Sequence, residues 1–389
     1  MPSRILVVDD EPDLEHLVQQ KFRKKIKERE FEFVFAHNGV DALNKLNNDG
    51  EIELILTDIN MPEMDGLTLL TELSKLSTIF KSVVVSAYGD MENIRTAMNR
   101  GAYDFVTKPI DLDDLETTIN KAIKELQVLK AAIESKDRLT ILESELKIAT
   151  EIQTSIIPQT FPAFPDRTEF EVFAKMIPAK EVGGDFYDFF AIDKSRIGVV
   201  IGDVSGKGVP AAMLMAISRT LLKATALKGI SPDICLTEIN NIIAEESLST
   251  MFVSLFYGIL DTRNGNFECC NAGHNLPYII PHNGEIKQIE NVGGLFIGAF
   301  KDSEYEPQTI TLKANDSLFL YTDGVTEAMD KDDNEFGDDR LNKTLLKMSD
   351  NTPTELTNSI IAEVKKFSEG TVQSDDITCL VLKYYGKSN

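Results

Sequence analysis

Short apolar runs punctuate the first hundred residues, and longer amphipathic stretches separate them. Ile5-Leu6-Val7-Val8, Leu54-Ile55-Leu56 and Val83-Val84-Val85 are rich in β-branched side chains, as befits strands buried on both faces of a parallel sheet. The segments between them repeat apolar residues at helical spacing, which predicts crossover helices and a doubly wound α/β arrangement. Each run ends in polar residues: Asp9 and Asp10, then Asp58, then Ser86. A further short strand, Tyr103 to Val106, leads into Thr107-Lys108-Pro109. Parallel sheets bind ligands beyond the carboxyl ends of their strands, so carboxylates, a hydroxyl and an ammonium should gather at one edge.

From Asp113 to Ile157 neither Gly nor Pro occurs, and apolar residues recur at Leu115, Ile119, Ala122, Leu126, Leu129 and Ile133, then at Leu142, Leu146, Ala149 and Ile152 or Ile156. Steps of three and four predict a helix with one apolar stripe. At 1.5 Å per residue it would be roughly 65 Å long, too long to pack on one domain throughout. The heptad-like seam suggests a parallel coiled-coil homodimer, although Lys136-Asp137 divides it; the plainer alternative is a helix pair folded back on a domain. Pro158 and the following TFPAFP end the helix. The expected organisation is a first domain over 1–125, a helical linker over 126–157 and a second domain over 158–387.

Clustered carboxylates at the first sheet edge repel one another and call for a hard cation such as Mg²⁺. With the cation in place, Asp58 can attack a phosphoryl group, Lys108 can pair with the phosphoryl oxygens and Ser86 can donate a hydrogen bond. The strings VVDDEP, LTDINMPEMDG, VVSAYG and YDFVTKP resemble, in order, the motifs of response-regulator receiver domains. That resemblance implies a five-stranded parallel sheet and phosphorylation of Asp58 by a cognate sensor histidine kinase or phosphotransfer protein. It also implies Mg²⁺ held by Asp10, Asp58 and the backbone carbonyl of Asn60, with Asp9 assisting. Ser86 and Tyr103 match the family's switch pair, and Lys108-Pro109 matches a position that is usually cis.

In the second half the signal lies in Glu181-VGGDFYDFF, Val200-IGDVSGKGVPAAMLMA, Met251-FVSLFYGILD, Leu318-FLYTDGVTEA and Ser374-DDITCLVLK. Asp185, Asp203, Asp323 and Asp375 each stand beside a Gly-rich turn or an apolar strand end. Four carboxylates meeting at one edge of a sheet sandwich would need cations, and a water bridging two divalent metals loses a proton near neutral pH, giving a nucleophile for phosphate esters. Gly202-DVSGKGV has the wrong spacing for a P-loop. No Ser-His-Asp signature is present, and His16, His37, His274 and His282 form no metal-spaced cluster. His274 is read as a loop or core residue that could neighbour the site.

These five stretches resemble the SpoIIE-like sporulation branch of the PPM metal-dependent serine/threonine phosphatases, over residues about 145 to 385. The resemblance implies an α+β fold, an α-β-β-α sandwich of two antiparallel sheets. It puts Asp203 between two Mn²⁺ or Mg²⁺ ions, with Asp185 and the Val204 carbonyl on one and Asp323 and Asp375 on the other; Asp376 is the weaker candidate. ELKIATEIQTSIIP resembles the helix that precedes the catalytic core and controls it. The implied substrate is a phosphorylated anti-sigma-factor antagonist or a similar small regulator.

Length and charge narrow the choice of function. A chain of 389 residues suits two domains and a connector. A formal charge of -23 argues against nucleic acid as a partner, and no basic recognition helix is evident. Cys235, Cys269, Cys270 and Cys379 show no C-x-x-C spacing and read as buried thiols. No stretch approaches the ~18 apolar residues of a membrane span, so the expected location is cytoplasmic. The favoured reading is a receiver-controlled phosphatase; the other is a receiver-controlled binding module that sequesters partners without catalysis.

Overall fold

The computed structural model describes residues 2–48, 51–87, 89–246, 251–290 and 293–386. The chain divides into two compact units, Met1–Ile141 and Leu142–Asn389. The first runs β1 (Ser3–Val8), α1 (Pro12–Lys21), α2 (Arg23–Lys27), β2 (Phe31–Ala36), α3 (Gly39–Asn48), β3 (Ile52–Asp58), α4 (Gly66–Leu73), β4 (Lys81–Ala87), α5 (Met91–Asn99), β5 (Asp104–Lys108) and α6 (Leu112–Ile156). Its sheet is ordered β2-β1-β3-β4-β5, and every pairing is parallel.

The unbroken apolar runs feed two cores at once, because successive strand residues face opposite ways. Ile5, Val7, Leu54, Leu56 and Val83 pack with Leu115, Ile119 and Ala122 of α6. Leu6, Val8, Ile55 and Val84 pack with Leu69, Leu70 and Leu73 of α4 and Ala97 of α5. The turn after β3 depends on Gly66: a Cβ there would lie 2.1 Å from the Asp58 carbonyl oxygen, and the Gly66 N–H donates to Ile59 at 2.9 Å.

The helix expected over 113–157 is a single element from Leu112 to Ile156. Its first turns are the last helix of the first unit, with Leu115, Ile119, Ala122, Ile123 and Leu126 buried. Val128, Leu129, Ile133, Leu139, Ile141, Leu142, Ile148 and Ile152 are exposed. Among the described residues no helix is long and apolar enough to cross a membrane.

The second unit continues with β6 (Phe170–Ile177), β7 (Phe186–Ala191), β8 (Arg196–Val204), α7 (Val209–Ala226), α8 (Pro232–Glu246), β9 (Val253–Asp261), β10 (Asn266–Ala272), β11 (Tyr278–Ile280), β12 (Lys287–Gln288), β13 (Gly293–Gly294), β14 (Gln308–Thr311), β15 (Ser317–Tyr321), a 3₁₀ turn (Asp323–Val325), α9 (Gly337–Lys347), α10 (Pro353–Phe367) and β16 (Ile377–Tyr384). One sheet is ordered β13-β10-β9-β8-β7, with β14 also on β10; the other is β12-β11-β15-β16-β6. Both are antiparallel apart from the short β10–β13 pair. Leu318, Leu320, Leu380 and Leu382 face inward onto β8 and β9, whose other side is covered by Ala211, Met215 and Leu222 of α7. Phe319, Tyr321, Cys379 and Val381 face outward onto Leu341 of α9 and Leu356, Ile360 and Val364 of α10. The result is the α-β-β-α sandwich.

Asp188 on β7 is fully buried, and its carboxylate meets Arg219 at 2.5 Å and Lys223 at 3.3 Å, both on α7. Burial raises its pKa, while Arg219 and then Lys223 pull it back. Removing one partner of such a pair strands a buried charge. Arg219→Met should therefore destabilise the second unit by about 3 kcal/mol in urea unfolding followed by circular dichroism, and adding Asp188→Asn should recover part of the loss. Two variants indistinguishable from the parent would show that the pair does not anchor α7.

Candidate functional site

In the first unit the carboxyl ends of β1, β3, β4 and β5 lie along one edge of the parallel sheet. Among the described residues, Asp9, Asp10 and Asp58 form a group whose carboxylate oxygens lie within 4.8 Å of one another. Asp9 and Asp58 are buried, and Asp10 is exposed. Lys108 on β5 reaches Asp58 at 2.8 Å, Asp9 at 3.2 Å and Glu11 at 3.2 Å. Burial works against the Lys108 charge, but Asp58 and Asp9 outweigh it and raise its pKa. Burial raises Asp9 against the Glu11 N–H and Lys108. Hard oxygen donors held this close fit a hard divalent cation.

The Ser86 hydroxyl, on β4, is buried and has no hydrogen-bond partner. An orphan donor beside Asp58, whose strand pairs with β4 in register, suits an incoming oxyanion. Tyr103 is half-buried, and its hydroxyl donates to Glu125 on α6 at 2.6 Å, which pushes its pKa up to about 12. The Lys81 ammonium lies 4.4 Å from its ring centre. Asn60 is exposed in the turn after β3, and the Lys108-Pro109 bond is cis.

In the second unit Asp185 precedes β7, Asp203 is near the end of β8, Asp323 opens the 3₁₀ turn after β15 and Asp375 precedes β16. The sheets bring them together. Asp185 is buried, and its pKa is raised well above the usual carboxylate value by burial, then by Asp203 and Asp376. Burial, Asp323 and Asp375 push Asp203 up to about 7, while its neighbour Asp185 pulls it partly back. Asp323 is raised by burial and by Asp375. The Val204 backbone stands in the same place: a Cβ on Gly184 would lie 2.8 Å from the Val204 carbonyl oxygen and 3.3 Å from Asp203 Oδ1. The donors are all oxygen, the chemistry that hard divalent cations take, although among the described residues only Asp9, Asp10 and Asp58 bring three carboxylates within 4.8 Å of one another.

Several residues that order this site are not evident from sequence. Thr322 and Thr378 donate to Asp185 Oδ2 at 2.7 and 2.5 Å. Lys207, between Gly206 and Gly208, both with positive φ, pairs with Asp375 at 2.7 Å. Gln153 near the end of α6 is buried and grips Gly183 from both sides, donating to its carbonyl at 2.8 Å and accepting from its N–H at 3.1 Å. One turn earlier, Thr150 donates to the Glu181 carbonyl at 2.7 Å. Asp376 accepts from Ala179, Gly184 and Asp185. The only local hints are the Thr-Asp pair at 322–323, the G-K-G triplet and a polar residue in an apolar stripe. His274 is a core residue: burial lowers its pKa to about 4, and Nδ1 lies 2.8 Å from Ser254 Oγ.

Comparison with known proteins agrees with this geometry. The response regulator receiver domain family matches residues 5–120, and the stage II sporulation protein E (SpoIIE) family matches residues 193–385. The chain therefore combines two domains of known families. Its N-terminal receiver domain is followed by a PPM-type, SpoIIE-like phosphatase domain. It is 30% identical over 278 residues to Protein IcfG of Synechocystis sp., covering 64% of this chain and 43% of that protein. It is 27% identical over 243 residues to phosphoserine phosphatase RsbU of Bacillus subtilis, covering 62% of this chain and 70% of RsbU. The SiaA-PP2C domain of Pseudomonas aeruginosa superimposes with a TM-score of 0.56 at 20% identity, over 64% of this chain and 98% of that one, which supports the sandwich fold.

The raised value of Asp203 has a measurable consequence in chelator. A carboxyl at about 7 in the folded chain, against 3.8 ordinarily, stays protonated when its unfolded counterpart has ionised. Its contribution to stability is therefore full below about pH 4 and is lost as pH rises to about 7. With EDTA present, the thermal midpoint of the parent should drop between pH 5 and pH 8 by more than that of Asp203→Asn. Equal drops in the two proteins would contradict the buried-repulsion account.

Proposed function

We propose that this chain is a phosphorylation-controlled, metal-dependent protein phosphatase that hydrolyses phosphoserine or phosphothreonine. The observation that carries the reading is the convergence of Asp185, Asp203, Asp323 and Asp375 from four separate segments, with Asp203 pushed up to about 7. Asp203 would sit between two Mn²⁺ or Mg²⁺ ions, with Asp185 and the Val204 carbonyl serving one and Asp323 and Asp375 the other. Such ions supply a hydroxide nucleophile near neutral pH and polarise the phosphoryl group. The protein's part is to hold the carboxylates aimed, while the charge of the cations would keep them ionised against burial and one another. Thr322 and Thr378 fix Asp185 Oδ2, and Lys207 offers the positive charge nearest to Asp375.

In the receiver, Asp58 would accept a phosphoryl group from a sensor histidine kinase or phosphotransfer protein. Mg²⁺ would be held by Asp10, Asp58 and the Asn60 carbonyl with Asp9 beside it, while Lys108 and Ser86 would bind the phosphoryl oxygens. Tyr103 supplies the outlet, since its hydroxyl is bonded to Glu125 on α6. The same helix carries Gln153 to the Gly183 backbone, so a change in α6 at one end has a route to the loop that presents Asp185. The exposed apolar residues of its middle, Leu129, Ile133 and Leu142 among them, suit pairing with a second copy in a coiled coil.

The phosphoserine phosphatase RsbU among its relatives supports a phosphoserine substrate, and the substrate proposed is a phosphorylated anti-sigma-factor antagonist or similar small protein. The work would be done in the cytoplasm, where four free, buried cysteines stay reduced. A binding module without catalysis has no observation in its favour, because all four aspartates are present and converge. The full chain should hydrolyse a small aryl phosphate or a phosphoserine peptide only with Mn²⁺ or Mg²⁺. Asp203→Asn should lose more activity than the about 10–100-fold typical of removing a ligand's hydrogen-bond partner. Undiminished hydrolysis by that variant would overturn the catalytic assignment.

A further inference from the structure

The Gly183-Gly184-Asp185 loop before β7 leaves backbone donors and an acceptor to be satisfied in a buried place, and buried polar groups are rarely left unpaired. Gln153 takes both polar groups of the Gly183 backbone. The rest falls to Asp376. Its Oδ1 accepts from the Ala179 N–H at 2.8 Å, and its Oδ2 accepts from Gly184 at 2.8 Å and Asp185 at 3.4 Å. We infer that Asp376 is a positioning residue, not a further cation ligand: it latches the 179–185 segment to the start of β16, and Asp185 is presented correctly only while the latch is closed.

Three observations support this assignment. Both Asp376 oxygens are already engaged by backbone N–H groups, and charge-assisted bonds of this kind are the stronger ones. Its neighbour Asp375 has a different environment, facing Lys207 at 2.7 Å and accepting the Asp376 N–H at 2.8 Å. The loop is also pressed against the latch, since a Cβ on Gly183 would lie 2.1 Å from Asp376 Oδ2. On its other side, Gly184 abuts the Val204 carbonyl and Asp203. Gly183 is thus required for the approach of a carboxylate, and Gly184 for the approach of the strand end.

The latch explains how α6 could act on the site. A loop held by Gln153 alone would follow the helix as a whole; one also fixed to β16 by Asp376 must deform when Gln153 moves. Only the catalytic arm of the following experiment rests on the phosphatase reading. An asparagine at 376 keeps one acceptor but turns an amide donor toward N–H donors.

Hydrogen–deuterium exchange of the metal-free full chain tests the latch directly, with Mn²⁺ binding followed by calorimetry. Asp376→Asn and, as an independent variant, Gly183→Ala should each speed exchange across 179–185 by about tenfold or more, and each should weaken Mn²⁺ binding by about 10–100-fold, as loss of a ligand's support does. Asp375→Asn should weaken Mn²⁺ binding without speeding exchange across that segment. The Mn²⁺ concentration for half-maximal hydrolysis should rise in step with the calorimetric value. Unchanged exchange in Asp376→Asn overturns the inference, whether Mn²⁺ binding falls as in Asp375→Asn, making Asp376 a ligand, or stays as in the parent. Should the parent chain hydrolyse nothing, the exchange result still decides the latch, and the phosphatase reading fails separately.

Discussion

The mutual repulsion of buried carboxylates is the constraint around which the second domain is built. Asp185, Asp203 and Asp323 all have raised pKa values, chiefly through burial and then through neighbouring carboxylates, Asp375 and Asp376 among them. A protein gains nothing in stability from such a group, and an inert sandwich would be better served by apolar side chains. The surrounding chemistry manages the strain: two threonine hydroxyls on Asp185, one ammonium at Asp375 and the backbone donors gathered by Asp376. The receiver repeats the motif on a smaller scale, with Lys108 set among Asp9, Glu11 and Asp58. Both domains therefore carry an acidic site whose charge favours a cation, and in both a lysine offsets part of it.

Control of one site by the other would pass through α6, the element that each domain grips by a polar contact. Near its start the helix is covered by apolar residues of the receiver and tied to Tyr103 through Glu125. Near its end Gln153 and Thr150 hold the backbone of 181–183. Polar contacts suit switching, because rotating a helix by a fraction of a turn breaks a directional hydrogen bond before it empties an apolar interface.

Much of this was legible in the sequence because it is local. Continuous β-branched runs mark the receiver strands, the lack of Gly and Pro marks α6, and strand-end aspartates mark both sites. What was not legible joins residues far apart in the chain: Thr378 to Asp185, Asp376 to Gly184, Gln153 to Gly183. Asp376 and Thr378 stand in Ser374-DDITCLVLK and Gln153 in ELKIATEIQTSIIP, but nothing local shows which backbone or side chain each will meet. The long helix runs from Leu112 to Ile156, and its first turns pack on the first domain. Apolar periodicity alone cannot tell a helix face covered by its own domain from one left exposed, as Leu126 and Leu129 are, respectively.

The central claim is that the state of Asp58 sets the rate at Asp203. The most direct measurement is Mn²⁺-dependent phosphatase activity of the full chain with and without beryllofluoride, which mimics a phosphoryl group on aspartate, run beside Asp58→Ala. The account predicts a change in rate that disappears in the variant. A metal-dependent activity indifferent to beryllofluoride would contradict control by the receiver.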